Sequence, residues 1–383
     1  MVMKYKTIGE LCEMLNGYAF VSSKYVDKGI RIIRIANVQK GYVEDNTPVF
    51  YPIDTAGLEK YMLEENDLLV SLTGNVGRVA LLGKELLPAA LNQRVACLRL
   101  KNNTISKKYL YHLLNSDLFE SKCIQASNGI AQKNLSTEWL KNYEVPIYSK
   151  KEEQNIISLL DDIQNIIRNR QQQLEKFDEL IKARFVEMFG DPFVNEKKWD
   201  VKKISEVVTE VRYGTSKPAV DGGKYPYLRM NNITDDGELD LNNLKYIDIT
   251  DEEIEKCIVH KGDILFNRTN SIELVGKTAM YNLDEKMVIA GYIIRVRLKS
   301  CLLPEVLTQY MNLKPLKILL RSVAKGAVNQ ANINAQEFQN IEIYVPNIDL
   351  QNEFVSFKNH VDKSKVAVQK EFILRNAGFY LTA

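Results

Sequence analysis

Ile33-Arg34-Ile35-Ala36-Asn37-Val38 returns about 196 residues later as Leu228-Arg229-Met230-Asn231-Asn232-Ile233, and that recurrence governs how the rest of the chain is read. Outward from it, the same segments follow in the same order. Asp67-Leu68-Leu69-Val70-Ser71 pairs with Asp263-Ile264-Leu265-Phe266-Asn267, and Gly77-Arg78-Val79-Ala80 with Gly276-Lys277-Thr278-Ala279. Cys97-Leu98-Arg99-Leu100-Lys101 pairs with Arg295-Val296-Arg297-Leu298-Lys299. The halves close with Gly129 to Val145-Pro146 and Gly326 to Val345-Pro346. The chain is a duplication.

Each half alternates β-branched and apolar runs, such as 31–38, 67–72 and 95–100, with Gly, Asn and Asp turns, which predicts strands. Residues 106–114 and 304–313 read as short helices with one apolar face. The expected unit is a mixed α/β globule of about 150 residues, mostly strand.

The pattern then changes. Residues 151–189 hold no Gly and no Pro, and their apolar residues Ile156, Leu160, Ile163, Ile167, Leu174, Phe177, Ile181 and Met188 fall at alternating steps of four and three. Arg170 and Arg184 occupy two of the expected positions. Such heptads predict a helix of roughly 57 Å whose stripe packs on another helix. Gly190-Asp191-Pro192 ends it. Leu350, Phe354, Phe357, Val361, Val368 and Phe372 repeat the spacing in a second, shorter helix, the count being taken from Gln154 and Gln351 as matched residues. The order globule, helix, globule, helix predicts that the helices pair with each other in antiparallel fashion and relate the halves by a pseudo-two-fold axis. Core packing or homodimerisation are the alternatives on periodicity alone. The boundaries expected are 1–148, 149–190, 191–346 and 347–383.

Composition sets limits. No apolar run reaches 18 residues and the N-terminus lacks a leader-like apolar stretch, so a cytoplasmic protein without membrane attachment is expected. Five cysteines and three histidines stand too far apart for a disulfide framework or a zinc module. The net charge of +2 is small for a protein that grips DNA alone. Either the basic groups gather on one face or partner subunits supply part of the grip. Two similar, diverged globules match the pseudo-symmetry of duplex DNA and suit two different half-sites. The helix would then span about 17 base pairs at most.

Duplicated halves, each strand-rich, ending in Val-Pro and followed by a heptad helix opening with Glu152-Glu153-Gln154 or Leu350-Gln351-Asn352, resemble the specificity subunit of Type I restriction–modification enzymes. Phe189-Gly190-Asp191-Pro192 followed by Trp199-Asp200-Val201-Lys202-Lys203-Ile204 strengthens the resemblance, which covers essentially the whole chain. It implies two target-recognition domains on paired spacer helices, in an α+β fold with the helices forming an antiparallel coiled coil. It also implies double-stranded DNA, two methyltransferase subunits and restriction subunits as partners. The stripe Ile156, Leu160, Ile163, Ile167, Leu174, Phe177, Ile181, Phe354, Phe357 and Val361 becomes the partner-docking surface. No catalysis and no cofactor is expected in this chain; S-adenosylmethionine, ATP and Mg would belong to the partner subunits. The shortened final helix departs from the family pattern.

Other motifs carry less. Ser271 to Thr278 resembles the end of a phosphate-binding loop, but Ser271 stands where Gly is needed, and a shared turn before a strand accounts for both halves. Asp191-Pro192-Phe193 lacks the second Pro of an adenine-methyltransferase motif and sits at a helix stop. Asp67 and Asp263 suit turns or strand caps, and Cys257 with His260 lacks a second pair of metal ligands. The candidates for DNA contact are loop amides, hydroxyls and cations. In the first half they are Thr73, Asn75, Arg78, Asn92, Gln93, Arg94, Gln132, Lys133 and Asn134. In the second they are Tyr213, Asn267, Arg268, Thr269, Asn270, Lys277, Lys325, Asn329, Gln330 and Asn332. A protein-binding adaptor and a single-chain enzyme joining recognition to modification are the rival readings; salt-dependent DNA binding and S-adenosylmethionine binding discriminate them.

Overall fold

The computed structural model describes residues 4–127, 133–327 and 330–380. It divides into two units, Met1–Ile167 and Arg168–Ala383. In the first, the strands Cys12–Asn16, Val95–Leu100, Leu68–Ser71 and Val79–Leu81 form one antiparallel sheet in that order. Phe50–Tyr51, Ile30–Ile33, Ala89–Leu91 and Met62–Leu63 form another, in which Ile30–Ile33 runs parallel to Ala89–Leu91. Leu68-Leu69-Val70 is apolar without alternation because the first sheet is covered on both faces. Leu69 packs with Ile33, Leu91 and Cys97 towards the second sheet. Leu68 and Val70 pack with Leu110, Leu114 and Phe119 from the helices Lys107–Leu114 and Asp117–Ala126.

The second unit repeats this plan. Val208–Tyr213, Ile293–Leu298, Ile264–Asn267 and Thr278–Met280 make one sheet; Lys245–Ile247, Tyr225–Leu228, Met287–Ile289 and Ile258–Val259 make the other. In each unit a two-stranded sheet closes the domain, Lys4–Thr7 with Glu144–Ile147 and Asp200–Lys203 with Glu342–Val345. This pairing corrects the sequence register at the end of the repeat. Lys6 faces Val145 whereas Lys202 faces Ile343, so Val145-Pro146 corresponds to Ile343-Tyr344 and not to Val345-Pro346. Likewise Glu153, not Gln154, corresponds to Gln351. Each accepts the backbone N–H that opens the first short helix, Ser106 N at 2.7 Å and Leu303 N at 2.9 Å.

The long helices span Lys150–Phe189 and Ile348–Tyr380. The first is not a free-standing spacer. Ile157 near its start belongs to the core of the first unit, and Ile181, Phe185, Met188 and Phe189 at its end belong to that of the second. In the second unit the two helices run antiparallel, since Arg184 meets Glu353 at 3.1 Å and Asp178 meets Lys365 at 2.6 Å. Arg184, at a heptad position, also lies over the ring of Phe357. This pairing alters the docking stripe expected from the sequence. Ile181, Phe354 and Val361 are buried, and Phe177 and Phe357 pack against the same core. Ile156, Leu160, Ile163 and Leu174 are half-buried, leaving Ile167 as the exposed member of the set. The apolar side chains facing solvent are instead Leu159, Ile166, Leu180 and Val186. Among the described residues, no helix is long and apolar enough to cross a membrane.

Candidate nucleic-acid interface

Four loops meet at one rim of each domain, tied by the same backbone hydrogen bonds. In the first, Tyr18 N donates to Leu91 O, Gln93 N to Tyr18 O, Leu72 N to Arg94 O and Leu135 N to Leu72 O. In the second, Thr215 N donates to Ile289 O, Gly291 N to Thr215 O, Arg268 N to Tyr292 O and Ile333 N to Arg268 O. These bonds make Leu72 the counterpart of Arg268, and Arg94 that of Tyr292. Gly17 and Gly214 allow the first loop to cross so closely. A Cβ on either would lie 2.1 or 2.2 Å from the backbone at Asn92 or Ile289.

In the first domain Gln93, Arg94, Asn75, Lys133 and Asn134 are exposed on these loops. The Arg94 side chain has no partner among the described residues. Asn92 is half-buried and its Oδ1 accepts from Arg94 N. Thr73 is buried and bridges Asn134 through the backbone. Arg78 is half-buried and donates to Gln39 Oε1. Gln132 lies outside the described residues, as does Asn329 in the second domain.

In the second domain the guanidinium of Arg268 stacks over the Tyr213 ring, 4.8 Å from its centroid, and Nη1 donates to Gly291 O at 3.3 Å. Tyr213 Oη accepts from Ala335 N at 2.8 Å, which fixes the ring. Thr269 and Asn332 bond to each other through their side chains, and Asn270 Oδ1 accepts from Ser271 N. Gln330 and Lys325 are exposed, the latter paired with Glu337. Two candidates prove internal. Asn267 is fully buried, and Lys277 is 7% exposed with Nζ donating to the carbonyls of Met230 and Ile233. Their polar groups serve the domain's own hairpin, and they leave the contact set.

Lys217, Arg229 and Tyr292, which were not among the candidates read from the sequence, complete the rim. A cavity of about 420 Å³ is lined by Thr215, Lys217, Arg229, Arg268 and Tyr292, among others. Tyr292 is 51% exposed. In the first domain the counterparts Tyr18 and Phe20 stack with Tyr51 and Tyr61. Extending the repeat towards Asn16-Gly17-Tyr18 and Tyr213-Gly214-Thr215 would have exposed this loop, because each half keeps its glycine.

The remaining motifs are structural. Asp67 accepts Glu64 N and both arms of Arg99; Asp263 accepts His260 N and both arms of Arg297. Asp191 Oδ1 accepts Phe193 N and Val194 N in the turn after the helix. His260 Nδ1 lies 2.7 Å from Arg297 Nη2. Among the described residues, no group of three or more His, Cys, Asp or Glu is placed to hold a metal.

Comparison with known proteins gives one family. The model of the Type I restriction modification DNA specificity domain matches residues 2–176 and again 196–373. The chain is 23% identical over 347 residues to the Type I restriction enzyme EcoKI specificity subunit of Escherichia coli K12, covering 86% of this chain and 74% of that protein. It is also 23% identical over 380 residues to the EcoBI specificity subunit of Escherichia coli, covering 91% and 77%. Among solved structures, a chain from a study of complex assembly and conformational transition of the type I R-M system superposes with a TM-score of 0.55. That match has 17% identity and covers 98% of this chain and 94% of the other.

Proposed function

Since the chain belongs to the Type I restriction modification DNA specificity family, we propose that it reads a bipartite, asymmetric DNA target, one half-site per domain. The observation that carries this is the pair of rims. The same four loops, tied by the same backbone bonds, present different side chains in the two domains. A shared scaffold with divergent loops suits two half-sites of unlike sequence.

Its part in the complex is recognition, and it positions partner subunits that carry the chemistry. Two methyltransferase subunits and the restriction subunits would bring S-adenosylmethionine, ATP and Mg. Leu159, Ile166 and Leu180 recur at heptad steps on the solvent side of the central helix, with Ile167 and Val186 beside them. An apolar row of this kind suits a partner helix. The modest net charge of +2 fits a protein whose hold on phosphate is completed by its partners.

The test is to map methylated adenines by single-molecule sequencing in cells expressing the assembled complex. A motif of two short half-sites separated by a fixed unread gap is expected. Exchanging residues 1–148 for those of another family member should change one half-site and leave the other. Scattered methylation, a contiguous motif, or a change in both half-sites would refute the reading.

A further inference from the structure

The duplication gives two versions of one scaffold, so each side chain can be compared with its counterpart. Two pairs of scaffold arginines coincide in position and in bond. Arg34 and Arg229 each donate Nη2 at 2.9 Å to a carbonyl in the returning arm of their hairpin, Thr47 and Asn243. Arg99 and Arg297 each hold the equivalent aspartate, with Nε at 2.9 and 2.8 Å. At the rim a guanidinium changes place. Two adjacent positions, joined by one backbone hydrogen bond, are Leu72 and Arg94 in the first domain and Arg268 and Tyr292 in the second. Each domain keeps one guanidinium at this step but attaches it to the opposite strand. No shared internal bond explains the pair. Arg94 is exposed and unpartnered among the described residues, and Arg268 lies on a ring at the wall of an open cavity.

Resting on the recognition role proposed above, we infer that Arg94 and Arg268 are specificity-determining residues, each reading the guanine edge of a G·C pair in its own half-site. Tyr213 is the positioning residue for Arg268. A guanidinium offers two parallel N–H donors in a rigid fork that match guanine O6 and N7. Stacking on Tyr213 and the bond to Gly291 O restrict the Arg268 fork before DNA arrives. Arg94 has no such support and is ordered on binding. The attachment points differ by one strand, so the G·C pair sits at a different place in each half-site.

The experiment uses the complex co-expressed with its methyltransferase subunits. Motifs are mapped by sequencing, and binding is measured on duplexes carrying the wild-type motif or single-base changes. Arg94→Ala should abolish preference for one G·C pair in one half-site, and Arg268→Ala for one G·C pair in the other. In each case the lost discrimination should be roughly 5- to 150-fold. Tyr213→Ala should relax the same position as Arg268→Ala, and Tyr213→Phe, which keeps the stacking face, should restore it. A uniform drop in affinity with an unchanged motif would show phosphate contact and overturn the inference, as would an unchanged motif with unchanged affinity. Arg94→Ala removes an exposed side chain without a partner among the described residues, so its result stands even if an Arg268 variant folds poorly. If the unmutated complex gives no bipartite motif, the recognition role itself fails, and that outcome is separate from the others.

Discussion

Phe185 decides whether the central helix is a passive strut or part of the second domain. It is fully buried, with ring centroids 4.7 Å from Phe189, 5.2 Å from Phe354 and 6.4 Å from Tyr310. It therefore joins the central helix, the C-terminal helix and the domain in one cluster. Phe185→Ala leaves a void that three aromatic rings cannot collapse into, and such truncations cost about 3–5 kcal/mol. For a unit of this size each kcal/mol lowers the melting temperature by about 2–4 °C, so a fall of roughly 6–20 °C is expected. Val186→Ala, one residue on and solvent-facing, should change stability by less than about 0.5 kcal/mol. Differential scanning calorimetry of the full chain reads both variants, and the loss should fall on the transition of the unit Arg168–Ala383. Equal shifts for the two variants would refute the packing argument, and with it the claim that the helix end is built into the domain.

Two further outcomes follow from charges in the same scaffold. Lys317 is buried, its Nζ has no hydrogen-bond partner and lies 3.9 Å from Asp235, and burial pulls its ammonium down to about 8. The unfolded lysine holds its proton to higher pH, so this group's destabilisation is complete below pH 8 and fades as pH rises towards the ordinary lysine value. Lys317→Met should then stabilise the protein at pH 7 by on the order of 1–3 kcal/mol, with the advantage shrinking by pH 10 in urea titrations; a constant advantage would count against it. Lys40 pairs with Asp117 and Glu120 on an exposed face; Lys40→Glu should cost at most about 1 kcal/mol and Glu120→Lys in the same chain should recover it, a double-mutant cycle without coupling being the contrary result.

Much of the fold was legible because duplication writes it twice, and strand cores and helix stops are local signals. The central helix spans Lys150–Phe189 where 149–190 was expected, and the second spans Ile348–Tyr380 where 347–383 was expected. The register slips at Gln154 and at Val345-Pro346 arose where residue identity and structural role part company. Glu153 and Gln351 share a hydrogen-bond role but not a side chain. Phe185 escaped the heptad count because the helix end serves two surfaces, the partner helix and the domain core, so its apolar stripe widens. The site was less legible. Lys277 and Lys325 are the same residue type in similar loops, yet one is sealed inside by carbonyls 44 and 47 residues away and the other faces solvent. No local pattern reports such a partner.

Divergence between the halves is not by itself a mark of recognition. Cys97 and Arg295 are also counterparts, facing Leu69 and Leu265 in the same ladder. Both are fully buried, a thiol in one domain and a guanidinium in the other. Arg295 is tolerated because acceptors of its own domain surround it: Glu210 lies at 3.1 Å, Asp263 at 3.9 Å, and the Ile258 carbonyl accepts from Nη1. A buried divergence is thus balanced by neighbours within its own domain. The exchange between positions 72 and 94, and 268 and 292, has no such balance for Arg94, whose exposed side chain has no hydrogen-bond or ion-pair partner among the described residues. An exposed guanidinium is satisfied by water, so the divergence at position 94 costs the fold nothing and leaves the group available for the base contact proposed above, which the motif mapped for Arg94→Ala decides.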